Sequence, residues 1–229
     1  MNVLGFDCAG RGCSAAVLRG DTVLANRAEP MERGQAEKLM PLIVETLAAA
    51  GIAATALDLV AVTTGPGGFT GVRIGLAAAR GLALGLGQPL IGISSFAAVA
   101  AAVPLNSRNG RKLVVALDSK RDEFYLQGFG ADGAALGDGA LVPPAAIAAF
   151  LPPGKLLLAG DAAARLAALL AGSDVEIAAA QLPDPADVAR LGAFLWQQGE
   201  RAPPRPLYLR APDTTAPRST ALGAVSATP

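Results

Sequence analysis

The stretch Leu57-Asp58-Leu59-Val60-Ala61-Val62-Thr63-Thr64-Gly65-Pro66-Gly67-Gly68-Phe69-Thr70-Gly71-Val72-Arg73-Ile74-Gly75 decides the fold class. Leu57–Thr63 is an apolar run of strand length. Gly65-Pro66-Gly67-Gly68 breaks it abruptly, and Thr70 reads as the N-cap of a helix running to about Gly85. A buried-type strand passing through a glycine loop straight into a helix is an α/β signature. A glycine-rich turn at a helix start is also where anions bind well. The loop is not a Walker A motif, because the Gly-Lys-Ser/Thr ending is missing.

The same alternation extends to both sides. Upstream, Val3–Asp7, Ser14–Leu18 and Thr22–Ala25 are short strand runs separated by glycine turns at Ala9–Gly12 and Gly20-Asp21, an opening three-stranded meander. Residues 33–50 change to helical spacing, with Leu39, Leu42, Ile43 and Leu47 on one stripe. Pro41 predicts a kink or late start there, and Gly51 a stop. Downstream, Leu90–Ile93 is a strand, and Ser94 or Ser95 caps a helix to about Val103. The polar stretch Pro104–Arg111 is the best domain boundary. A second block then repeats the order loosely. Leu113–Asp118 and Glu123–Gly130 pair as a hairpin, followed by helix Pro143–Leu151, strand Lys155–Ala159, helix Ala162–Leu170, strand Val175–Ala178 and helix Ala186–Gln198. The expected organisation is a first lobe over 1–104, a smaller second lobe over 105–212 and a disordered tail over 213–229, where Ala, Thr, Ser and Pro show no periodicity.

Composition narrows the chemistry. The chain of 229 residues balances 19 Lys+Arg against 19 Asp+Glu and contains two Cys and no His. Without histidine there is no Ser-His-Asp triad, Cys-His dyad or HExxH zinc site. The two cysteines read as reduced cytosolic thiols, not a disulfide framework. Zero net charge argues against a self-sufficient nucleic-acid binder. No signal peptide is read after Met1, and no uninterrupted apolar run reaches the ~20 residues of a membrane span.

Two segments carry candidate function. In Phe6-Asp7-Cys8-Ala9-Gly10-Arg11-Gly12, a strand ending in Asp meets a glycine turn. That pattern can present N–H groups and a carboxylate to a phosphate, or simply make an ordinary turn. Asp7, Gly10 and Gly12, with Gly67 and Gly68 of the second loop, are the candidate nucleotide-binding set. The helix behind Gly68 has Gly71, Gly75 and Ala79 at i, i+4 and i+8, flanked by Ala78, Gly81 and Gly85. Each glycine costs roughly 1 kcal/mol of helix stability against alanine, so another backbone must approach closely. That backbone belongs either to the chain's own sheet or to another subunit. The cluster Asp118, Arg121, Asp122 and Glu123 reads as a solvated hairpin turn in preference to a cation site.

FDCAG…CSAAVL, GPGGFTGVRIGLAAARGLALG and PLYLRAPD together resemble the TsaB family over about residues 1–212, with Gly65–Gly75 the most specific part. The resemblance implies the fold of actin, sugar kinases and the large heat-shock chaperones, with two related α/β lobes and mixed sheets. It also implies a non-catalytic, cytoplasmic scaffold subunit of the machinery that makes threonylcarbamoyladenosine on tRNA. Such a subunit pairs with the catalytic paralogue TsaD and the ATPase TsaE, self-dimerises when alone, and meets tRNA only through the complex, with no membrane. No metal or cofactor is implied, though weak nucleotide binding is allowed for. The paralogue's metal-binding HxxxH pair falls here on Ser95 and Val99, and neither side chain replaces an imidazole. A histidine often seen six residues before the first-helix proline is Gln35. The family pairs its subunits through helices matching 33–50 and 70–86. The expected interface residues are therefore Gln35, Leu39, Leu42, Gly71, Arg73, Gly75, Ala78, Ala79 and Leu82. The rival reading is an actin-fold kinase or ATPase acting alone through Asp7 and the Gly65–Gly68 loop. A peptidase has no mechanism in a chain without histidine.

Overall fold

A computed structural model describes residues 1–201 and 203–210. Strands β1 (Asn2–Asp7), β2 (Gly12–Arg19), β3 (Thr22–Pro30), β4 (Leu59–Thr63) and β5 (Leu90–Ile93) form one sheet in the order β3-β2-β1-β4-β5. Strands β6 (Lys112–Asp118), β7 (Phe124–Phe129), β8 (Ala140–Val142), β9 (Leu156–Ala159) and β10 (Val175–Ile177) form a second, in the order β10-β9-β6-β7-β8. The two orders are the same topology used twice: an antiparallel meander followed by two strands that join in parallel. The expected actin-like fold with two related lobes and mixed sheets is the one observed.

Period-two alternation builds the cores. Leu4 and Phe6 of β1 face α1 (Gln35–Ala50) and α2 (Phe69–Leu86), whereas Val3 faces the opposite side of the sheet. In the second lobe Val114 and Ala116 face α4 (Ile147–Phe150) and α5 (Ala163–Leu169), whereas Leu113, Val115 and Leu117 face inward. The inner faces are covered by an exchange. Helix α3 (Ser95–Ala101) follows the first sheet but packs Phe96, Val99 and Ala100 against the second. Helix α6 (Pro185–Gln197) follows the second sheet but packs Ala186, Val188 and Ala189 against the first. Two glycines permit that approach. A Cβ on Gly5 would lie 2.4 Å from the Pro185 carbonyl oxygen, and one on Gly192 would lie 2.6 Å from Ala61 Cβ. The break at Pro104–Arg111 thus separates the two sheets, while α6, from the second block, belongs to the first sheet's core.

Several expected boundaries shift. The cap of α2 is Gly68, not Thr70, because the Gly68 N–H is fixed to the Ala9 carbonyl and the Gly68 carbonyl already accepts from Val72. The helix ends at Gly87. Helix α1 runs through Pro41 without a late start. Pro41 is exposed, so the carbonyl it leaves unbonded can be hydrated. Strand β3 runs on to Pro30, β8 was not foreseen, and 143–151 is a single 3₁₀ turn plus the short α4. The expected tail lies outside the described residues. By length and composition α2 could cross a membrane, yet here Val72, Leu76, Ala79 and Ala83 rest on the first sheet.

Candidate functional site

The turn after β1 and the loop after β4 meet in the cleft between the lobes. Asp7 ends β1 and is buried. Its Oδ1 accepts from the Thr63 hydroxyl and from Ala9 N at 3.0 Å, and its Oδ2 accepts from Gly10 N at 3.1 Å. Burial pushes the Asp7 carboxyl above its ordinary value, and these donors oppose the rise without cancelling it. Gly68 N donates to the Ala9 carbonyl at 2.8 Å, and a Cβ on Gly67 would lie only 2.3 Å from that oxygen. Gly12 sits beneath the Glu29 carbonyl at the β2–β3 end. The structure therefore brings Asp7, Gly10, Gly67 and Gly68 together around Ala9, as a phosphate cradle would require. It then joins the Gly68 N–H and the Asp7 oxygens to partners within the chain, so these groups are not turned to a ligand.

Arg11 crosses the cleft. Its guanidinium stands 3.7 Å from Asp118 and 3.5 Å from Asp161, both in the second lobe. The cavity left behind it, about 60 Å³, is lined by Ala9, Gly67, Ser95, Asp118, Lys120 and Asp161 among others. Small-molecule pockets run to roughly 300–1,000 Å³. The buried Ser95 hydroxyl at the start of α3 has no hydrogen-bond partner among the described residues, and Val99 lies within the second sheet's core. A hydroxyl and an isopropyl group do not make a transition-metal pair. No three His, Cys, Asp or Glu side chains converge on a metal position among the described residues. The Asp118 turn is a hairpin tied by its own cations. Asp118 Oδ1 accepts from Lys120 N at 2.9 Å, Lys120 Nζ stands 3.1 Å from Oδ2, and Arg165 lies 3.7 Å away. Partial burial raises its carboxyl, but these contacts outweigh that and leave it below the ordinary value.

The outer helix pair divides differently from the expectation. Leu39 and Leu42 are buried in the first lobe's own core, as are Gly71, Gly75 and Ala79. A Cβ on Gly71 would stand 1.9 Å from the Cys8 carbonyl oxygen, and one on Gly75 would touch Cys8 Cβ and Val62. The small-residue stripe at i, i+4 and i+8 lies against β1 and its turn, so these residues face inward and not toward a second subunit across the outer face. Arg73 is exposed but engaged: its guanidinium lies 3.8 Å over the Phe69 ring and its Nε donates to the Tyr208 hydroxyl at 3.1 Å. That cluster belongs to a terminal strap, in which Leu207 N donates to the Thr64 carbonyl and Arg80 to the Pro204 carbonyl. Gln35, Ala78 and Leu82 are half-buried.

What faces outward is a stripe that spacing alone did not single out. Ala36, Met40, Val44 and Ala48 recur at every fourth residue of α1, all exposed. On α2 the exposed small and apolar residues are Ala77, Gly81, Leu84 and Gly85, with Leu84 86% exposed, beside the exposed Arg80. A Cβ on Gly81 or Gly85 meets nothing within 4 Å, so no contact among the described residues explains these glycines. Beside this face, between the ends of α1 and α2, opens a groove of about 1,020 Å³ with Cys8, Gly10 and Arg11 on one side and Gln35 and Gly71 on the others. The signal for it was the pair of glycines, Gly34 and Gly68, that start the two helices.

The family model described as TsaD, tRNA N6-adenosine threonylcarbamoyltransferase, matches residues 22–192. The tRNA threonylcarbamoyladenosine biosynthesis protein TsaB of Haemophilus influenzae is 36% identical over 127 residues, 55% of this chain and 52% of that protein. The Escherichia coli TsaB is 34% identical over a similar share. The chain thus aligns with about half the length of these curated relatives. An uncharacterised Mycobacterium bovis protein is 35% identical over 92% of both chains. Among solved structures, a Pseudomonas aeruginosa protein described as similar to the peptidase YEAZ superposes with a TM-score of 0.80 at 28% identity, covering 91% of this chain and 99% of that one. A Thermus thermophilus ROK hexokinase, with a TM-score of 0.51 at 16% identity, shares the fold alone. With most of its length under the family model and TsaB proteins among its relatives, this chain belongs to the TsaB/TsaD family of tRNA threonylcarbamoyladenosine biosynthesis proteins.

Proposed function

We propose that this protein is the non-catalytic, TsaB-like scaffold subunit of a cytoplasmic complex that forms threonylcarbamoyladenosine on tRNA. It docks a TsaD-like catalytic paralogue through the outer faces of α1 and α2. A TsaE-like ATPase completes the complex, tRNA is met through the complex, and in isolation the chain pairs with a second copy through the same faces. The observation that carries this reading is the exposed stripe of Met40, Val44 and Leu84 beside two glycines with open space before them. Apolar side chains around small residues let another helix pair approach closely and bury area. The clipped cleft supports the non-catalytic half, since the groups that would hold a nucleotide bond one another. We assign no resident cofactor or metal to the chain.

The test is co-purification with the catalytic paralogue, followed by an assay of threonylcarbamoyladenosine formation with and without this chain. Val44→Glu and Leu84→Glu should fold normally, weaken capture severalfold or more and lower product formation. Unchanged capture by both variants sinks the assignment of this face. Product formation by this chain alone sinks the non-catalytic reading.

A further inference from the structure

Cys8 stands on the wall of the groove between α1 and α2, and its sulfur stands against that of Cys13, the chain's other cysteine. Cys8 and Cys13 stand one step beyond the last paired residues of β1 and β2, Asp7 and Ser14. Their sulfur atoms are 3.4 Å apart, both residues are buried, and both are free thiols. Cys8 lines the groove, while the Cys13 thiol also donates to the Gln35 carbonyl at 3.7 Å. Burial, the largest cause, pushes both thiols above their ordinary values, so the reduced pair remains protonated and hydrogen-bonded. Directly opposed positions on antiparallel strands hold Cα atoms ~4.5–5.5 Å apart, within the range a disulfide spans.

We infer that Cys8 and Cys13 form a dithiol modification site, closed to an intramolecular disulfide by low-molecular-weight disulfides that enter from the groove. Two S–H bonds break and one S–S bond forms. The two electrons and two protons reduce the entering disulfide, R–S–S–R, to two R–SH. Cys8, on the groove wall, takes the mixed disulfide, and Cys13 displaces the second thiol. A reducing compartment returns the pair to thiols, which distinguishes this bond from a structural cross-link. The bond acts where α2 is seated. The Cys8 carbonyl lies against Gly71, and the Ala9 carbonyl accepts from Gly68 N, so oxidation fixes the turn that supports the start of that helix.

The inference is tested on the full-length reduced protein incubated with oxidised glutathione, then denatured, alkylated and weighed. The expected product is a monomer lighter by two hydrogens, resistant to iodoacetamide and restored by dithiothreitol. Because the chain has two cysteines, that mass identifies the pair without ambiguity. Cys8→Ser and Cys13→Ser cannot form the product, so no monomer that has lost two hydrogens appears in either. The oxidised protein should also melt several degrees higher, since the bond constrains the unfolded chain without moving the native turn. Full alkylation of both thiols after treatment, a persistent mixed disulfide in the unsubstituted protein, a cross-linked dimer or a lowered melting temperature would each overturn it. None of these readouts depends on the catalytic paralogue.

Discussion

The two lobes share one strand order but spend it differently. Between the third and fourth strands the first lobe places the 16-residue α1, where the second places the 4-residue α4. Between the fourth and fifth strands it places the 18-residue α2 against the 7-residue α5. Both sheets are covered, since Ile147, Ala163 and Leu166 complete the second core as Leu39, Val72 and Leu76 complete the first. The first sheet has the longer strands, and its helices are longer to match. The same turns that bury Leu39, Leu42, Ile43 and Ala83 carry Met40, Val44 and Leu84 on their outer side, where they stay exposed. That outward apolar stripe, without a counterpart of the same length on α4 and α5, supports the proposal that the first lobe's outer surface meets another chain.

The comparison breaks most visibly within α2, where glycines on opposite faces should respond with opposite signs. Gly71→Ala puts a Cβ into the Cys8 carbonyl, rigid backbone that cannot swing away. We expect a loss of about 3 kcal/mol or more, read by denaturant melting. Gly81→Ala meets open space and should gain up to about 1 kcal/mol of helix propensity. Equal effects would mean that the inner and outer faces have been assigned wrongly. At the next scale, Leu84→Glu on α2 should weaken capture of the paralogue by about 30-fold, the effect of losing a ~2 kcal/mol anchor. Leu169→Glu, on the equivalent α5 of the second lobe and 53% exposed, should leave capture unchanged by pull-down titration.

How much of this could be read in the sequence follows from the same contrast. The strand runs of both lobes were legible except β8, because continuous apolar stretches such as those ending in Asp7 and Asp118 leave little else for the chain to do, whereas the three residues of β8 are too short to read. The doubled order followed from them. The exchange of α3 and α6 was not legible: an apolar stripe says that a helix must cover something, not which sheet it covers. Gly5 and Gly192 were signs of close approach, but a strand glycine and a helix glycine 187 positions apart cannot be paired without the fold. The small residues of α2 misled for a related reason. Helical spacing places Gly71, Gly75 and Ala79 on one face but does not tell whether that face looks in or out. Of the candidate nucleotide set, Asp7, Gly10, Gly67 and Gly68 come together around Ala9, and Gly12 lies apart at the β2–β3 end. The polar groups of the set turned inward because Ala9, seated between the two loops, brings its carbonyl to Gly68.

Asp7 and Asp118 sharpen the comparison at a smaller scale. Each ends the central strand of its sheet, and each accepts from the N–H two residues on, Ala9 and Lys120. Burial is the largest cause at both, but it prevails at Asp7, whereas at Asp118 the Lys120 N–H, the Lys120 ammonium and Arg165 together outweigh it. The signs of their pH dependence must then differ. Asp7 has its folded value raised, so its contribution is full below the ordinary value of 3.8 and is lost as pH rises through the folded value. Asp118 has its value lowered, so its contribution is present above 3.8 and is lost as pH falls through the folded value. Stability measured from pH 3 upward, relative to Asp7→Asn in one series and Asp118→Asn in the other, should fall with pH in the first and rise in the second. Parallel curves would show that the two carboxylates share one environment.

The smallest expected effect concerns what keeps the lobes together. Arg11 is the charged bridge, but its side chain is 59% exposed and its contacts to Asp118 and Asp161 are 3.7 and 3.5 Å long. Exposed pairs of this kind are worth about 0–1 kcal/mol. Arg11→Ala should change the melting midpoint by little, and less still in high salt, because Asp118 keeps Lys120 and Arg165 and Asp161 keeps the Asp118 N–H. The cleft should also stay closed to nucleotide. The Ala9 carbonyl still accepts from Gly68 N, and the Asp7 oxygens still accept from Thr63, Ala9 and Gly10. Calorimetric titration of Arg11→Ala with ATP should therefore show no micromolar binding. If it does, the charge at the mouth and not the backbone clip behind it excludes the nucleotide, and the first lobe's turn retains a working cradle beneath the bridge.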